Sequence, residues 1–331
     1  MNFPGEVRPP QALLDAQARM RDGKEPSLHQ IGLLARQASA SGDMDAYIQL
    51  FTKVEPRLRR HFQHHSPEAE FLRSTGKVAG NINVFRKLTY KSLSGPVPAF
   101  EKIYRRNGSD LKRLQWVARH LWGRLPCQMP QIIEIVPGQR LSVVLFAFEP
   151  FTPVSPDGLL ETLRDMNEFS IAHPASAFDV IEPAMQQMPL LYQQRRQTLA
   201  AGLALAGVSD SELAGIEAAC MDIVHVFNHA DLHRFNVGRN GMIYDWDCAC
   251  FAPAAHDPGR AIAALRTFRR LSGLRDFIQN RLGRDMAKTR SDAARIMFFY
   301  LVYAAKKKLT DQNTDEIKTL HEIFGHIRSA L

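Results

Sequence analysis

His229-Ala-Asp231-Leu-His233-Arg-Phe-Asn236-Val-Gly-Arg-Asn240-Gly241-Met-Ile-Tyr-Asp245-Trp-Asp247 is the stretch on which the reading of this chain turns. Asp231 and Asn236 stand five positions apart, and the Asn240-Gly241 pair between apolar residues predicts a tight hairpin with a turn of the primed type. That hairpin returns Asp245 and Asp247 to the side of Asp231 and Asn236. Carboxylates and a carboxamide then converge on one place. Such a set can hold a divalent cation on a polyphosphate while a further carboxylate orients an attacking hydroxyl.

The chain around it has 331 residues, 45% hydrophobic and 23% charged, enough to bury a substantial core divided between two packed units. Met1 to Glu6 shows no basic segment leading into an apolar run, so no secretory signal is expected. The longest apolar stretch, Ile296 to Ala305, is far shorter than the roughly 20 residues of a membrane-spanning helix. The expectation is a soluble, cytoplasmic protein, with peripheral contact to a membrane surface left open. Four cysteines (Cys127, Cys220, Cys248, Cys250) make no disulfide framework, and Cys248-Ala-Cys250 lacks the second pair of a zinc site, so buried free thiols are expected. A formal charge of +8 favours anionic partners.

Residues 1–10 carry Pro4, Gly5, Pro9 and Pro10 and read as an irregular arm. From there to Gln63, apolar positions recur at helical spacing (Ile31, Leu34, Ala35 and Ala38, then Tyr47, Leu50, Phe51 and Val54), which predicts a small helical extension over residues 1–70. That extension could bind a partner or pack on the next unit. Ser66-Pro67 is placed to open a further short helix. Gly76 to Arg86 reads as a loop feeding a strand, and Pro98 to Arg105, with Lys102 inside it, as a second strand. A helix is expected from Ser109 to Trp122. Two more strands follow, Gln131 to Val136 and Arg140 to Phe148, the second apolar enough to be covered on both faces. Pro150-Phe-Thr-Pro153 is a stiff boundary, dividing residues 71–149 from 150–331. Beyond it the pattern is helical: Leu159 to Phe169, Met185 to Leu205, Asp210 to Phe227, and again from Pro258 to the end.

Strands bearing a lysine, a helix, and then a helical half containing His-x-Asp-x-x-x-x-Asn and an Asp-bearing hairpin is the order of parts in protein-kinase-like phosphotransferases. His229-Ala-Asp231-Leu-His233-Arg-Phe-Asn236-Val resembles the His-Gly-Asp-Leu-His-x-x-Asn signature of the aminoglycoside phosphotransferase and choline kinase family. Ile243-Tyr-Asp245-Trp-Asp247 resembles its Ile-Asp-Trp-(Asp/Glu) element with one tyrosine inserted. The resemblance covers residues 71–331. It implies an α+β, bilobal protein-kinase-like fold, with a small antiparallel-sheet N-lobe, a mainly helical C-lobe and the helical extension in front.

The same resemblance implies roles. Asp231 orients the acceptor hydroxyl and takes its proton; Asn236 and Asp245 hold Mg2+ on ATP, with Asp247 either a second metal carboxylate or a surface residue. Lys102 contacts the α- and β-phosphates, and the loop bearing Gly80, Asn81 and Asn83 closes over them. Backbone groups of Ala147, Phe148 and Glu149 meet adenine. His229, His233 and Asp257 brace the catalytic loop. The helix from Ser109 carries only Asp110 and Gln115 where the family places a glutamate facing the lysine, so Glu68 or Glu70 is left as its candidate partner. Without any partner the chain would be a catalytically weak pseudokinase.

Between Pro258 and Lys308, arginines at 260, 266, 269, 270, 275, 281, 284, 290 and 295 and lysines at 288 and 306–308 outnumber the three aspartates Asp276, Asp285 and Asp292. They are either a solvated helical surface or the sign of an anionic acceptor, such as an acidic sugar, a lipopolysaccharide core or a phospholipid-surface substrate. Nucleic acid is disfavoured, because the arginines spread over several helices without aromatic interleaving.

Overall fold

A computed structural model describes residues 15, 18–20, 22, 25–64, 69–72, 84–92, 95–283, 285–305 and 313–331. Two compact units emerge, the first of residues 1–111 and 130–150, the second of 112–129 and 151–331. The class is the expected α+β one, a small antiparallel sheet followed by a mainly helical half.

The first unit opens with α1 (Leu28–Ser41), started by a Ser27/Gln30 capping box and ended by Gly42 at φ 71. Asp43 caps α2 (Met44–Val54), and a short 3-10 turn leads to α3 (Arg59–His64). The strands are β1 (Glu70–Leu72), β2 (Phe85–Ser92) and β3 (Gly95–Arg105). After α4 (Ser109–His120) come β4 (Ile132–Pro137) and β5 (Leu141–Ala147), and the sheet order is β1-β2-β3-β5-β4, antiparallel throughout. Leu141 through Phe146 are all buried, as the unbroken apolar run requires.

Period-two alternation gives β3 two chemically distinct faces. Ala99 and Ile103 share a core with Leu88, Val143 and Leu145, and with Ile31, Ala35, Tyr47, Phe51 and Phe62 from the helices. The helical extension therefore packs on the sheet. Glu101 lies on that same face, directly across from Arg86, and Lys102 lies on the other. Glu55, fully buried at the end of α2, accepts the N–H groups of Gln139, Arg140 and Leu141 at 2.7, 2.7 and 2.9 Å and so fixes the β4–β5 turn.

The second unit comprises α5 (Pro156–Ala172), α6 (Pro183–Gln186), α7 (Leu190–Leu205), α8 (Asp210–Met221), β6 (His225–Asn228), β7 (Cys250–Pro253), α9 (His256–Leu265), α10 (Leu271–Phe277), α11 (Arg290–Ala304) and α12 (Thr314–Ala330). All four cysteines are free, and burial pushes the Cys127, Cys220 and Cys250 thiols up to about 12. No helix among the described residues is long and apolar enough to cross a membrane.

Three local expectations are corrected. Glu70 to Leu72 is an edge strand, where a helix from Ser66 was expected; residues 65–68 lie outside the described set. The helix from Asp210 ends at Met221, because Val226 and Phe227 face Ala252 and Phe251 across a two-stranded ribbon. The 236–245 hairpin turns through three residues, Arg239-Asn240-Gly241. Gly238 N–H donates to Met242 O at 2.8 Å, Gly241 N–H donates to Gly238 O at 3.0 Å, and Gly241 alone of the three has positive φ. That is a type I turn closed by a left-handed glycine, where a primed two-residue turn was expected.

Candidate active site

The site in the second unit is built from β6 outward. Asn228, at the end of β6, donates from Nδ2 to Val226 O and Ala252 O at 3.0 Å and accepts Asp257 N–H, joining both short strands to the start of α9. Asp257 then takes two N–H groups of the next loop, His229 at 2.8 Å on Oδ2 and Ala230 at 2.8 Å on Oδ1. The loop is held by its backbone before any side chain is placed.

His229 ties that loop to the hairpin. Its Nε2 donates to Tyr244 O at 2.8 Å while Nδ1 accepts Asp231 N–H at 3.3 Å, which assigns the neutral ring with its proton on Nε2. Burial lowers the His229 pKa against the pull of Asp257 and Asp231, in keeping with an uncharged bracing group. Asn236 donates from Nδ2 to Asp231 O at 3.0 Å, and its backbone carbonyl accepts Tyr244 N–H at 2.8 Å. Val237 pairs with Ile243 across the hairpin. Asp231, Asn236 and Asp245 are thus parts of one locally hydrogen-bonded structure, with buried Asp247 two residues on.

Ala230 and Asp245 are the non-glycine residues with left-handed backbone among those described, at φ 63 and 64. Such conformations cost about 1 kcal/mol or more each and persist where surrounding contacts enforce them. Here they flank the carboxylates. Trp246 between Asp245 and Asp247 is core, its Nε1 donating to Ile243 O at 2.8 Å.

Asp231 has a neighbour that the motif did not announce. Arg260, three residues after Asp257 on α9, donates from Nε to Asp231 Oδ1 at 2.9 Å and brings Nη2 to 2.7 Å from the same oxygen. Burial works to raise the Asp231 pKa; the Arg260 charge, with His233 and His229, overcomes it and holds the carboxyl well below the usual range. His233 Nε2 stands 3.7 Å from the other oxygen, Oδ2. The guanidinium of Arg260 lies over the Tyr303 ring at 5.2 Å, and Tyr303 Oη is 2.9 Å from His256 Nε2. Arg260 was visible only as one of many basic residues. Its signal was helical spacing, since i and i+3 from Asp257 share a face.

In the first unit, Lys102 is buried on its face of β3, with Nζ 5.7 Å from the Phe85 ring centroid and 5.1 Å from that of Tyr104. Its strand neighbour Glu101 faces the helices, where Arg86, His61 and Tyr47 surround it. Glu70 pairs with Lys87 at 3.0 Å. At the end of β5, Ala147 N–H donates to Gln131 O and Phe148 N–H to Pro98 O. Gly80, Asn81, Asn83 and Glu68 lie outside the described residues.

Compared with known proteins, residues 36–291 match the model of the phosphotransferase enzyme family, a span that begins within α1, earlier than the motifs alone place the start. No curated protein sequence matches. Among solved structures, a GDP complex of an aminoglycoside 2'-phosphotransferase-IIIa variant is 12% identical with TM-score 0.45, covering 83% of this chain and 96% of its own. An aminoglycoside 3'-phosphotransferase of type VIII is 16% identical with TM-score 0.41, covering 81% and 98%. A putative fructosamine-3-kinase from Haemophilus somnus is 11% identical with TM-score 0.41, covering 89% and 99%.

Proposed function

The chain belongs to the phosphotransferase enzyme family, and from that we propose that it transfers the γ-phosphoryl group of ATP to a hydroxyl of a small molecule or glycan. The acceptor oxygen forms a bond to the γ-phosphorus as the bond to the β-bridging oxygen breaks, ADP departs, and the hydroxyl proton passes late to the carboxylate of Asp231. Little covalent help is needed in such a step; most of the rate comes from positioning and from neutralising charge.

Asn236 and Asp245, with Asp247 beside them, would hold magnesium. Asn236 Nδ2 is engaged by Asp231 O, which leaves the side-chain Oδ1 as the end for a cation, and the three side chains then offer hard oxygen donors. Among the described residues no cage of three or more His, Cys, Asp or Glu side chains exists, and a site completed by substrate phosphates needs none. Magnesium bound there would neutralise charge on the phosphates. Lys102, partly desolvated between two rings, is the proposed contact to the α- and β-phosphates, and the Gly80, Asn81 and Asn83 loop the proposed cover. The N–H groups of Ala147 and Phe148 are committed to the sheet, so in this reading adenine would meet other backbone groups of the Ala147 to Glu149 strand end.

What carries this reading is the backbone clamp of Asp257 on His229 and Ala230, which presents Asp231 on a preorganised loop. An ATP-consumption screen over sugars, amino alcohols and lipid-core fragments tests it: transfer should occur with some acceptor and vanish in Asp231→Asn, and transfer surviving that change would refute the assignment. The basic helices of the second unit favour an anionic acceptor within this class. A second reading, a catalytically weak nucleotide-binding regulator, draws support from Arg260 occupying one oxygen of Asp231; nucleotide binding without Asp231-dependent transfer to any acceptor would establish it.

A further inference from the structure

α9 carries two residues that act on the same loop in different ways. Asp257 fixes its backbone, and one turn later Arg260 reaches the side chain of Asp231. Both Arg260 contacts, 2.9 Å from Nε and 2.7 Å from Nη2, fall on Oδ1. A guanidinium commonly pairs its fork with both carboxylate oxygens. Here it holds one and leaves Oδ2 on the side of His233. Tyr303 beneath the guanidinium fixes its plane, and Tyr303 is itself fixed by His256 at the start of α9. Nη1 of Arg260 has no hydrogen-bond partner among the described residues.

The side chains of Arg260 and Asp231 retain 16% and 14% of their exposure, so their charges act on a neighbouring group with less screening than on the open surface. The pair is formally neutral. A lone carboxylate would attract an ammonium-bearing acceptor; one already matched by an arginine does not, and the remaining guanidinium N–H groups favour an anion. Three residues along the loop, Arg234 keeps a buried Nε that donates to no group among those described, which adds positive charge without an internal acceptor.

Resting on the phosphotransfer reading, we propose that Arg260 is the positioning and acceptor-selecting residue: it orients Asp231 so that Oδ2 meets the acceptor hydroxyl, and it favours acceptors with an anionic group over cationic ones.

The test measures ATP consumption by the full chain with glucosamine, kanamycin and choline as cations, glucose and glycerol as neutral acceptors, and glucuronate and glycerol 3-phosphate as anions, against the Asp231→Asn blank. Turnover is expected among the anionic acceptors first and the neutral ones next. Arg260→Gln should lower kcat for every accepted compound and raise KM for anions by about tenfold more than for neutral compounds. Arg260→Lys, which keeps the charge but not the fork, should recover the anion KM and not kcat. Turnover confined to cations, or equal effects of Arg260→Gln on all KM values, overturns the proposal and leaves the phosphotransfer reading standing. No turnover above the blank with any acceptor overturns both. Arg260→Lys, with its fold checked by circular dichroism, and the wild-type charge ranking decide the matter should Arg260→Gln fail to fold.

Discussion

Arg86 and Glu101 face each other across β2 and β3 and are fully buried, with Nε donating to Oε1 at 2.9 Å and Nη2 to Oε2 at 2.6 Å. His61 Nε2, 2.6 Å from Oε2, and Tyr47 Oη, donating to Oε1 at 3.4 Å, join from the helical extension. The pair therefore stitches α2 and α3 to the helix-covered face of the sheet, a place where an apolar contact would have served. Removing one partner strands the other's charge in the core and should destabilise the first unit by about 3–5 kcal/mol, whereas replacing both by apolar residues should cost far less. Urea unfolding of Glu101→Ala, Arg86→Met and the double variant Arg86→Met/Glu101→Leu checks this; a double variant no better than the singles would refute it.

The same network sets an acid limit. Burial alone would raise the Glu101 pKa, but the Arg86 charge and the His61 and Arg86 hydrogen bonds bring it from 4.5 down to about 2. A carboxyl depressed in the folded state stabilises fully above its unfolded pKa, and that contribution is lost as pH falls from about 4.5 towards about 2. The loss should amount to about 3 kcal/mol. Hydrogen-exchange protection of β2 and β3 should decline over that window in the wild type, and Glu101→Gln should lack that component of the decline.

Glu55 makes a different kind of link, three backbone N–H groups on one carboxylate with no cation paired to it among the described residues. Glu55→Gln turns an amide NH2 towards donors and should cost about 1–3 kcal/mol, with protection lost first at residues 139–141. Undiminished protection there would show that the turn holds itself.

Gly259 lies between Asp257 and Arg260, where α9 meets α11. A Cβ there would stand 2.5 Å from Phe299 Cβ, 2.7 Å from Tyr300 N and 2.8 Å from Ile296 O, backbone and near-backbone atoms that cannot swing aside. Gly259→Ala should therefore push α9 outward, at about 1–3 kcal/mol or more, and lower kcat through the displaced Asp257 and Arg260. Wild-type thermal stability in that variant would contradict the close approach.

These cases show which parts of the molecule could be read from the sequence. The loop and hairpin were legible because Asp231, Asn236 and Asp245 are linked by short local segments, and local spacing survives folding. The turn type was not, because Asn240-Gly241 suits either a primed turn or a left-handed glycine after a type I turn. β6 hid in a helical pattern because Val224, Val226 and Phe227 are apolar under either period. The role of the extension was undecidable, since an amphipathic face does not name what covers it; the buried Arg86 and Glu101 look, in sequence, like ordinary strand charges. Arg260 was lost among other arginines because its contact with Asp231 is set only by the tertiary fold.

The clamp on the loop from His229 to Asp231 yields the last expectation. Asp257 accepts from His229 and Ala230, and Ala230 holds a left-handed conformation that an unclamped alanine leaves readily. Asp257→Ala orphans two buried N–H groups, at about 1–3 kcal/mol each, and frees the backbone to relax. Asp231 would then be displaced while its chemistry stays intact, so the loss should fall on kcat by about a hundredfold, with nucleotide KM little changed. Asp257→Asn, which retains one acceptor oxygen, should fall between Asp257→Ala and wild type. Steady-state kinetics on the acceptor found in the screen checks the ordering; equal kcat for wild type and Asp257→Ala would mean that the loop keeps its shape unaided, and that the preorganisation assigned to α9 resides in the His229–Tyr244 link instead.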